Sequence, residues 1–156
     1  LLGEAVSEEK GETAQSADLD CLIDISVNAH IPESYVESLT LRLDVYRRIA
    51  DIRNKEDILD VKDELKDRFG EIPESVLGLI DIALIRKCAN AMGIYEIRQT
   101  DTNVLLFVKE IKSPKVIELL SRLNGRAMLS AGNKPYITIR CGGGSSLDML
   151  KKVFKI

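Results

Sequence analysis

The stretch from Glu74 to Met92 is apolar on nearly every side of a helix: Val76, Leu77, Leu79, Ile80, Ile82, Ala83, Leu84, Ile85, Cys88, Ala89 and Met92 leave almost no polar face. A helix of that kind is stable in water only when other elements surround it. It is too often interrupted by charge to span a bilayer, and no apolar run in the chain approaches the roughly 20 residues needed for that. The rest of the 156 residues must therefore wrap it, within one domain or two small ones. With 45% hydrophobic and 30% charged residues, the chain can form a packed core, so disorder throughout is excluded.

Two helices precede this central one. Over residues 38–53, Leu41, Val45, Ile49 and Ile52 share one side, while Leu39, Leu43, Tyr46 and Ala50 form a second arc. Apolar coverage this wide predicts packing on more than one side. Arg42 falls where the arcs meet; a buried guanidinium there requires a partner, preferably a carboxylate in a bidentate fork, or else a ligand. Over 55–69, Ile58, Val61, Leu65 and Phe69 define a buried face, and Gly70 suits the turn that ends the helix. Asp57, Asp60, Asp63, Glu64 and Asp67 form an acidic stripe away from it, with Arg68 at its edge. Ahead of the helices, Leu22, Ile23, Ile25 and Val27 predict a short strand ended by Pro32.

Beyond Gly93 the period changes from helix to strand. Ile94–Ile97 and Val104–Val108 predict a hairpin, Ser113-Pro114 opens a helix to about Asn124, and 126–131 with 136–141 predict a second hairpin around Gly132-Asn133-Lys134-Pro135. Gly142–Gly144 and Ser145 form a turn and cap before a last helix through about Phe154. The expected architecture is α+β: about three helices and a short strand over 19–93, then ββαββα over 94–156, a small sheet with helices on one face. Residues 1–18 are polar, acidic and without period, and read as a tail or linker. Leu1-Leu2-Gly3-Glu4 has neither the basic nor the apolar segment of a signal peptide, and the missing initiator Met suggests a fragment.

Charge is segregated along the chain. Residues 1–20 hold six acids and one base, 21–85 fourteen acids and eight bases, and 86–156 five acids and thirteen bases, within a total of -3. The near-neutral total argues against a dedicated nucleic-acid grip. The basic half nonetheless offers Lys109, Lys112, Lys115, Arg122, Arg126, Lys134, Lys151, Lys152 and Lys155 to phosphates. Tyr95, Phe107, Tyr136 and Phe154 stand at positions that core packing explains, without the spacing of a base-stacking platform.

No constellation for catalysis emerges. His30, the only histidine, has no nucleophile and orienting group matched to it, and Cys21, Cys88 and Cys141 are odd in number and far apart, as expected of reduced buried thiols. Gly142–Gly144 with Ser145-Ser146 resembles an anion cradle but lacks the Lys-Ser/Thr pair of a P-loop. No catalytic residue, metal site or cofactor is expected. The acidic stripe is either a solvated face or a surface that meets a basic one, since its like charges at i, i+3 and i+4 repel within the helix.

Three blocks in order carry a resemblance: Ile31-Pro32-Glu33-Ser34-Tyr35; Leu41-Arg42-Leu43 leading into Tyr46-Arg47-Arg48; and Glu64-Leu65-Lys66-Asp67-Arg68-Phe69-Gly70 with Pro73 three residues on. Over about 20–97 the chain resembles the C-terminal domain of bacterial transcription-repair coupling factor; over 98–156 only the order of elements agrees. The resemblance implies a regulatory domain without catalysis, in a bacterial cytoplasmic parent that is an ATP-dependent DNA translocase. It implies that Leu1–Val6 ends the preceding translocase domain and that 7–18 form a linker. Such a parent dislodges stalled RNA polymerase and recruits the UvrA repair protein. The domain would dock on the UvrB-like module of its own chain and mask the UvrA-binding surface through Glu64, Asp67 and Arg68, with Asp57, Asp60 and Asp63 as a further acidic stripe. The alternative is a module that contacts nucleic acid or polymerase through the basic half.

Overall fold

The computed structural model describes residues 20–123, 125–141 and 145–156. The expected tail over 1–18 and the Gly142–Gly144 turn lie outside these residues. The described elements are β1 (Leu22–Asp24), α1 (Leu39–Ala50), α2 (Lys55–Phe69), α3 (Glu74–Ala91), β2 (Ile94–Thr100), β3 (Asn103–Val108), α4 (Pro114–Leu123), β4 (Ala127–Ser130), β5 (Tyr136–Arg140) and α5 (Ser146–Val153).

α3 occupies the position its composition demands. Val76, Ile80, Ala83 and Leu84 pack into a helical core with Val45, Ile49 and Ile52 of the α1 segment and Ile58, Val61 and Leu65 of α2. Ile85 and Ala89, further along α3, pack into a second core with the sheet and with Val116, Leu119, Leu150 and Val153 of α4 and α5. Each fully buried isoleucine contributes about 1.5–3 kcal/mol. Gly78 allows close passage of the chain: a Cβ there would stand 3.3 Å from the Asn28 carbonyl oxygen. Lys151 reaches Asp81 at 3.2 Å and ties α5 to α3.

The sheet has the order β1-β2-β3-β5-β4. Its ββαββα part is antiparallel, with Ile97 opposite Leu106 and Leu106 opposite Ile137. The helices cover one face, where Ile97, Val104, Leu106, Val108, Ile137 and Ile139 are buried. β1 joins the same sheet, parallel to β2, with Ile23 opposite Ile97. It is thus the strand that links the helical half to the sheet. Side-chain bonds hold it on α3: the Cys21 N–H donates to Asn90 Oδ1 (2.8 Å), Asn90 donates to Asp20 (2.8 Å), and Arg86 donates to the Cys21 carbonyl (3.2 Å).

Three expectations need correction. The strand stops at Asp24 although the alternation continues to Val27. The Ser26 N–H donates to the Gln99 side chain instead of the β2 backbone (2.7 Å), and by His30 the chain is bonded to the Ser75 carbonyl of α3 (3.2 Å). The second apolar arc of α1 is not packed: Leu39, Leu43 and Tyr46 are exposed, because α1 lies at the periphery and only its Val45–Ile49 side meets other elements. Finally, Phe107 and Tyr136 leave the core. They are register partners on the sheet face opposite the helices, with ring centroids 5.4 Å apart, and Tyr95 at the β2 bulge brings its ring within 6.2 Å of Phe107. Phe154 is buried as expected.

Candidate functional site

α2 carries the three residues that the resemblance singles out, and its ends explain how firmly it presents them. Asn54 caps the first turn by accepting the Asp57 N–H at 2.9 Å, while the Asp57 carboxylate accepts the Arg53 N–H at 2.9 Å. This reciprocal pair is a capping box displaced by one residue. At the other end Gly70 adopts φ +92°, a conformation that disfavours side chains. Tyr35 staples that end: its hydroxyl lies 3.2 Å from the Leu65 carbonyl oxygen and 3.0 Å from that of Gly70, and its ring tilts against Phe69 at 5.7 Å. Burial, with a smaller push from Glu71, raises the Tyr35 pKa above its usual 10.0. Between the ends, Val61 and Leu65 are buried and lock the helix to the core.

The acidic stripe divides into parts with different surroundings. The Glu64 carboxylate is held from two sides, by Arg48 Nε of α1 at 3.1 Å and by Arg68 Nη1 one turn on at 3.2 Å. Arg68 also lies over the Phe69 ring, 4.9 Å from its centroid. Asp57 is half-buried and belongs to the cap. Asp60, Asp63 and Asp67 are exposed, and among the described residues Glu64 is the only acid of α2 in an ion pair. The surface thus combines a carboxylate fixed in a two-arginine clamp with three solvated ones beside it. Fixed side chains lose less freedom on binding than mobile ones.

Arg42 lies apart from this surface and largely buried. Its Nη1 donates to the carbonyls of Val36 (2.8 Å) and Glu37 (2.9 Å), and its Nη2 is 3.7 Å from the exposed Glu33 carboxylate. Neighbouring carbonyls occupy its fork, where a bidentate carboxylate was expected. The arrangement fixes the 31–38 turn onto α1, assisted by Tyr46, whose hydroxyl accepts the Ile31 N–H at 3.0 Å.

Nucleophilic chemistry finds no support in the environments of these groups. Burial pushes the Cys21 thiol up to about 12 despite the nearby Arg86, and burial also raises Cys88 against a lowering by Lys55. In both, burial disfavours the thiolate, the form that acts as a nucleophile. His30 is exposed. Among the described residues, no group of three or more His, Cys, Asp or Glu side chains is placed to hold a metal ion, and no helix is long and apolar enough to cross a membrane.

Sequence reasoning missed Arg48 as the clamp on Glu64 and Tyr35 as the staple. Both residues stood in the quoted motif blocks, and an arginine and a tyrosine in separate blocks were the signal available.

Comparison with known proteins bears on the family and the fold. The family model described as TRCF domain matches residues 25–118, which begin just after β1 and include α1, α2, α3, β2, β3 and the first half of α4. The transcription-repair-coupling factor of Bacillus subtilis is 30% identical over 159 residues, covering 98% of this chain and 14% of that protein. Those of Staphylococcus epidermidis and Mycobacterium tuberculosis are 32% and 35% identical, over 76% and 62% of this chain and 10% and 9% of theirs. The chain therefore spans about a seventh or less of the curated relatives it matches. A crystal structure of the C-terminal domain of transcription-repair coupling factor superposes with a TM-score of 0.73 at 17% identity, over 87% of this chain and 89% of that one. On the family match and the extent of these similarities, the chain belongs to the TRCF domain family.

Proposed function

We propose that this chain is a non-catalytic regulatory domain of a transcription-repair coupling factor, acting in DNA repair linked to RNA polymerase in the bacterial cytoplasm. In this reading α2 docks through Glu64, Asp67 and Arg68 on the UvrB-like module of the same protein. Docking covers the surface that UvrA would use, and release exposes it. The ATP-driven translocation belongs to the parent's other domains.

The observation that carries the reading is the two-arginine clamp on Glu64 beside the solvated Asp67. Leu65 and Tyr35 hold the same helix from behind, so the charged set faces outward on a rigid base. Exposed charge pairs contribute register and association rate more than affinity. That suits a latch, since tethering supplies a high local concentration and the contact must still open.

The test is UvrA binding by the full-length parent carrying Glu64→Lys and Asp67→Lys. The reading expects tighter UvrA binding and a larger radius of gyration by solution scattering. Unchanged affinity together with unchanged dimensions refutes the latch.

A further inference from the structure

The docking role proposed for α2 accounts for acidic residues and leaves unassigned the thirteen bases that outnumber five acids in residues 86–156. Many cations of the domain are neutralised nearby: Arg47 by Asp44, Arg48 and Arg68 by Glu64, Arg98 by Glu96, and Lys151 by Asp81. One group is arranged differently. A cavity of about 480 Å³ opens where α4, α5 and the turn before β4 meet, and Arg122, Arg126, Lys152 and Lys155 line it. No carboxylate lines it among the described residues, and its apolar floor is presented by half-buried Leu123 and Met149, with the core residues Ile139 and Val153 behind them.

These four cations come from two separate stretches of chain, 122–126 and 152–155, so their convergence is a property of the fold. Gathering like charges costs free energy that an anion would offset. Arg122 is already oriented: its Nη2 donates to the Val153 carbonyl at the end of α5 (2.9 Å). That bond uses one of five guanidinium donors. Lys155 sits at φ +57°, a left-handed turn that a lysine rarely adopts, and the next residue, Ile156, fixes that turn by donating its N–H to the Lys151 carbonyl (2.8 Å). The volume falls in the range of ligand sites that enclose a small molecule.

We propose that this cavity binds a nucleotide unit, its phosphates on Arg122, Arg126, Lys152 and Lys155 and its base against the apolar floor. Phosphate supplies the multiple negative charge that four cations match, and the base uses a floor that inorganic phosphate or a carboxylate leaves empty. A free nucleoside triphosphate and a single nucleic-acid strand share this chemistry. The site is separate from α2, and the proposal stands independently of the docking reading.

The test uses the 156-residue chain with two probes: ATP by calorimetry, and a fluorescein-labelled oligothymidylate of about 12 nucleotides by anisotropy. If a strand occupies the site through four phosphate contacts, its affinity drops about 50-fold between about 50 and 200 mM salt. Arg126→Gln with Lys152→Gln removes two contacts and reduces that drop to about 7-fold. Lys152→Gln with Lys155→Asn removes a pair that replaces Arg126 by Lys155, asparagine tolerating the left-handed turn, and gives the same result. Lys109→Gln with Lys112→Gln, outside the cavity, leaves binding intact. If a free nucleotide is the ligand, ATP binds, the oligothymidylate does not, and both cavity variants lose ATP. The proposal is overturned if neither probe binds at the lower salt, if the cavity variants bind like the parent chain, or if a polyglutamate peptide competes equally at matched charge.

Discussion

Arg48 of α1 and Glu64 of α2 meet at 3.1 Å across sixteen residues of sequence, and this pair joins the two outer helices at the candidate docking surface. Both side chains are partly exposed, so the pair itself contributes at most about 1 kcal/mol to stability. Its larger effect is on orientation: with Arg48 removed, Arg68 alone holds the Glu64 carboxylate. Arg48→Met is expected to lower the urea-unfolding free energy by less than about 1 kcal/mol. In the full-length parent it shifts UvrA affinity in the same direction as Glu64→Lys, by a smaller factor. An Arg48→Met parent indistinguishable from wild type in UvrA binding would show that the clamp has no part in docking.

The acidic residues of α2 are predicted to separate in stability measurements. Asp57 accepts the Arg53 N–H and closes the helix start, so Asp57→Ala costs about 1 kcal/mol. Asp60, Asp63 and Asp67 do no such work. Relieving the i,i+4 repulsion of Asp60 with Glu64, and of Asp63 with Asp67, stabilises the helix by a few tenths of a kcal/mol per pair. Thermal unfolding of Asp57→Ala, Asp60→Asn and Asp63→Asn should give one lowered and two unchanged or slightly raised midpoints. Three equal losses would contradict the division of the stripe.

This division marks where sequence stops being informative. The ends of α2 were readable because Gly70 and the spacing of Ile58, Val61, Leu65 and Phe69 are local signals. α3 was readable because a helix apolar all round has one place to go. The second arc of α1 was misread because Leu39, Leu43 and Tyr46 report that a face is apolar and nothing about what covers it. Arg42 was expected to sit in a bidentate carboxylate fork, yet its hydrogen bonds go to backbone carbonyls, acceptors that every residue carries and no pattern marks, with Glu33 only an ion-pair neighbour at 3.7 Å. Phe107 and Tyr136 were assigned to the core because a strand in which both faces are apolar does not reveal which one the helices cover. Glu64, Asp67 and Arg68 were named through a motif, whereas Arg48 needed the crossing of two helices.

Cys21 provides a pH-dependent prediction. Its thiol has an ordinary value of 9.0 and is pushed up to about 12, mainly by burial. Between those values the folded chain keeps the proton that the unfolded chain releases, so the unfolded state binds fewer protons and stability falls as pH rises. The contribution is fully present below pH 9 and lost as pH climbs through about 12. Urea titrations at about pH 8 and 10 should show a smaller loss of stability in Cys21→Ala than in the parent chain. At about pH 8 a thiol reagent should modify Cys21 only as fast as the fold opens. Rapid labelling in native conditions would contradict the burial on which the prediction rests.

Tyr35 offers the sharpest separation between holding α2 and merely filling space behind it. Its ring packs on Phe69, and its hydroxyl reaches the carbonyls of Leu65 and Gly70. Tyr35→Phe keeps the ring and removes the hydroxyl, leaving the α2 terminus without its side-chain donor. The expected cost is about 1–2 kcal/mol. Because the hydroxyl's pKa is raised above 10.0 by burial and by Glu71, the folded state again retains a proton the unfolded one gives up, and stability declines once pH exceeds the unfolded value. Tyr35→Phe should remove part of that alkaline decline while lowering stability at neutral pH. Hydrogen exchange locates the effect: amides of the last turn of α2 and of Gly70 should exchange faster in the variant, and those of α3 and β3 should not beyond the global change. Uniform acceleration across the domain would assign Tyr35 to the core at large and remove it as the staple of the docking helix.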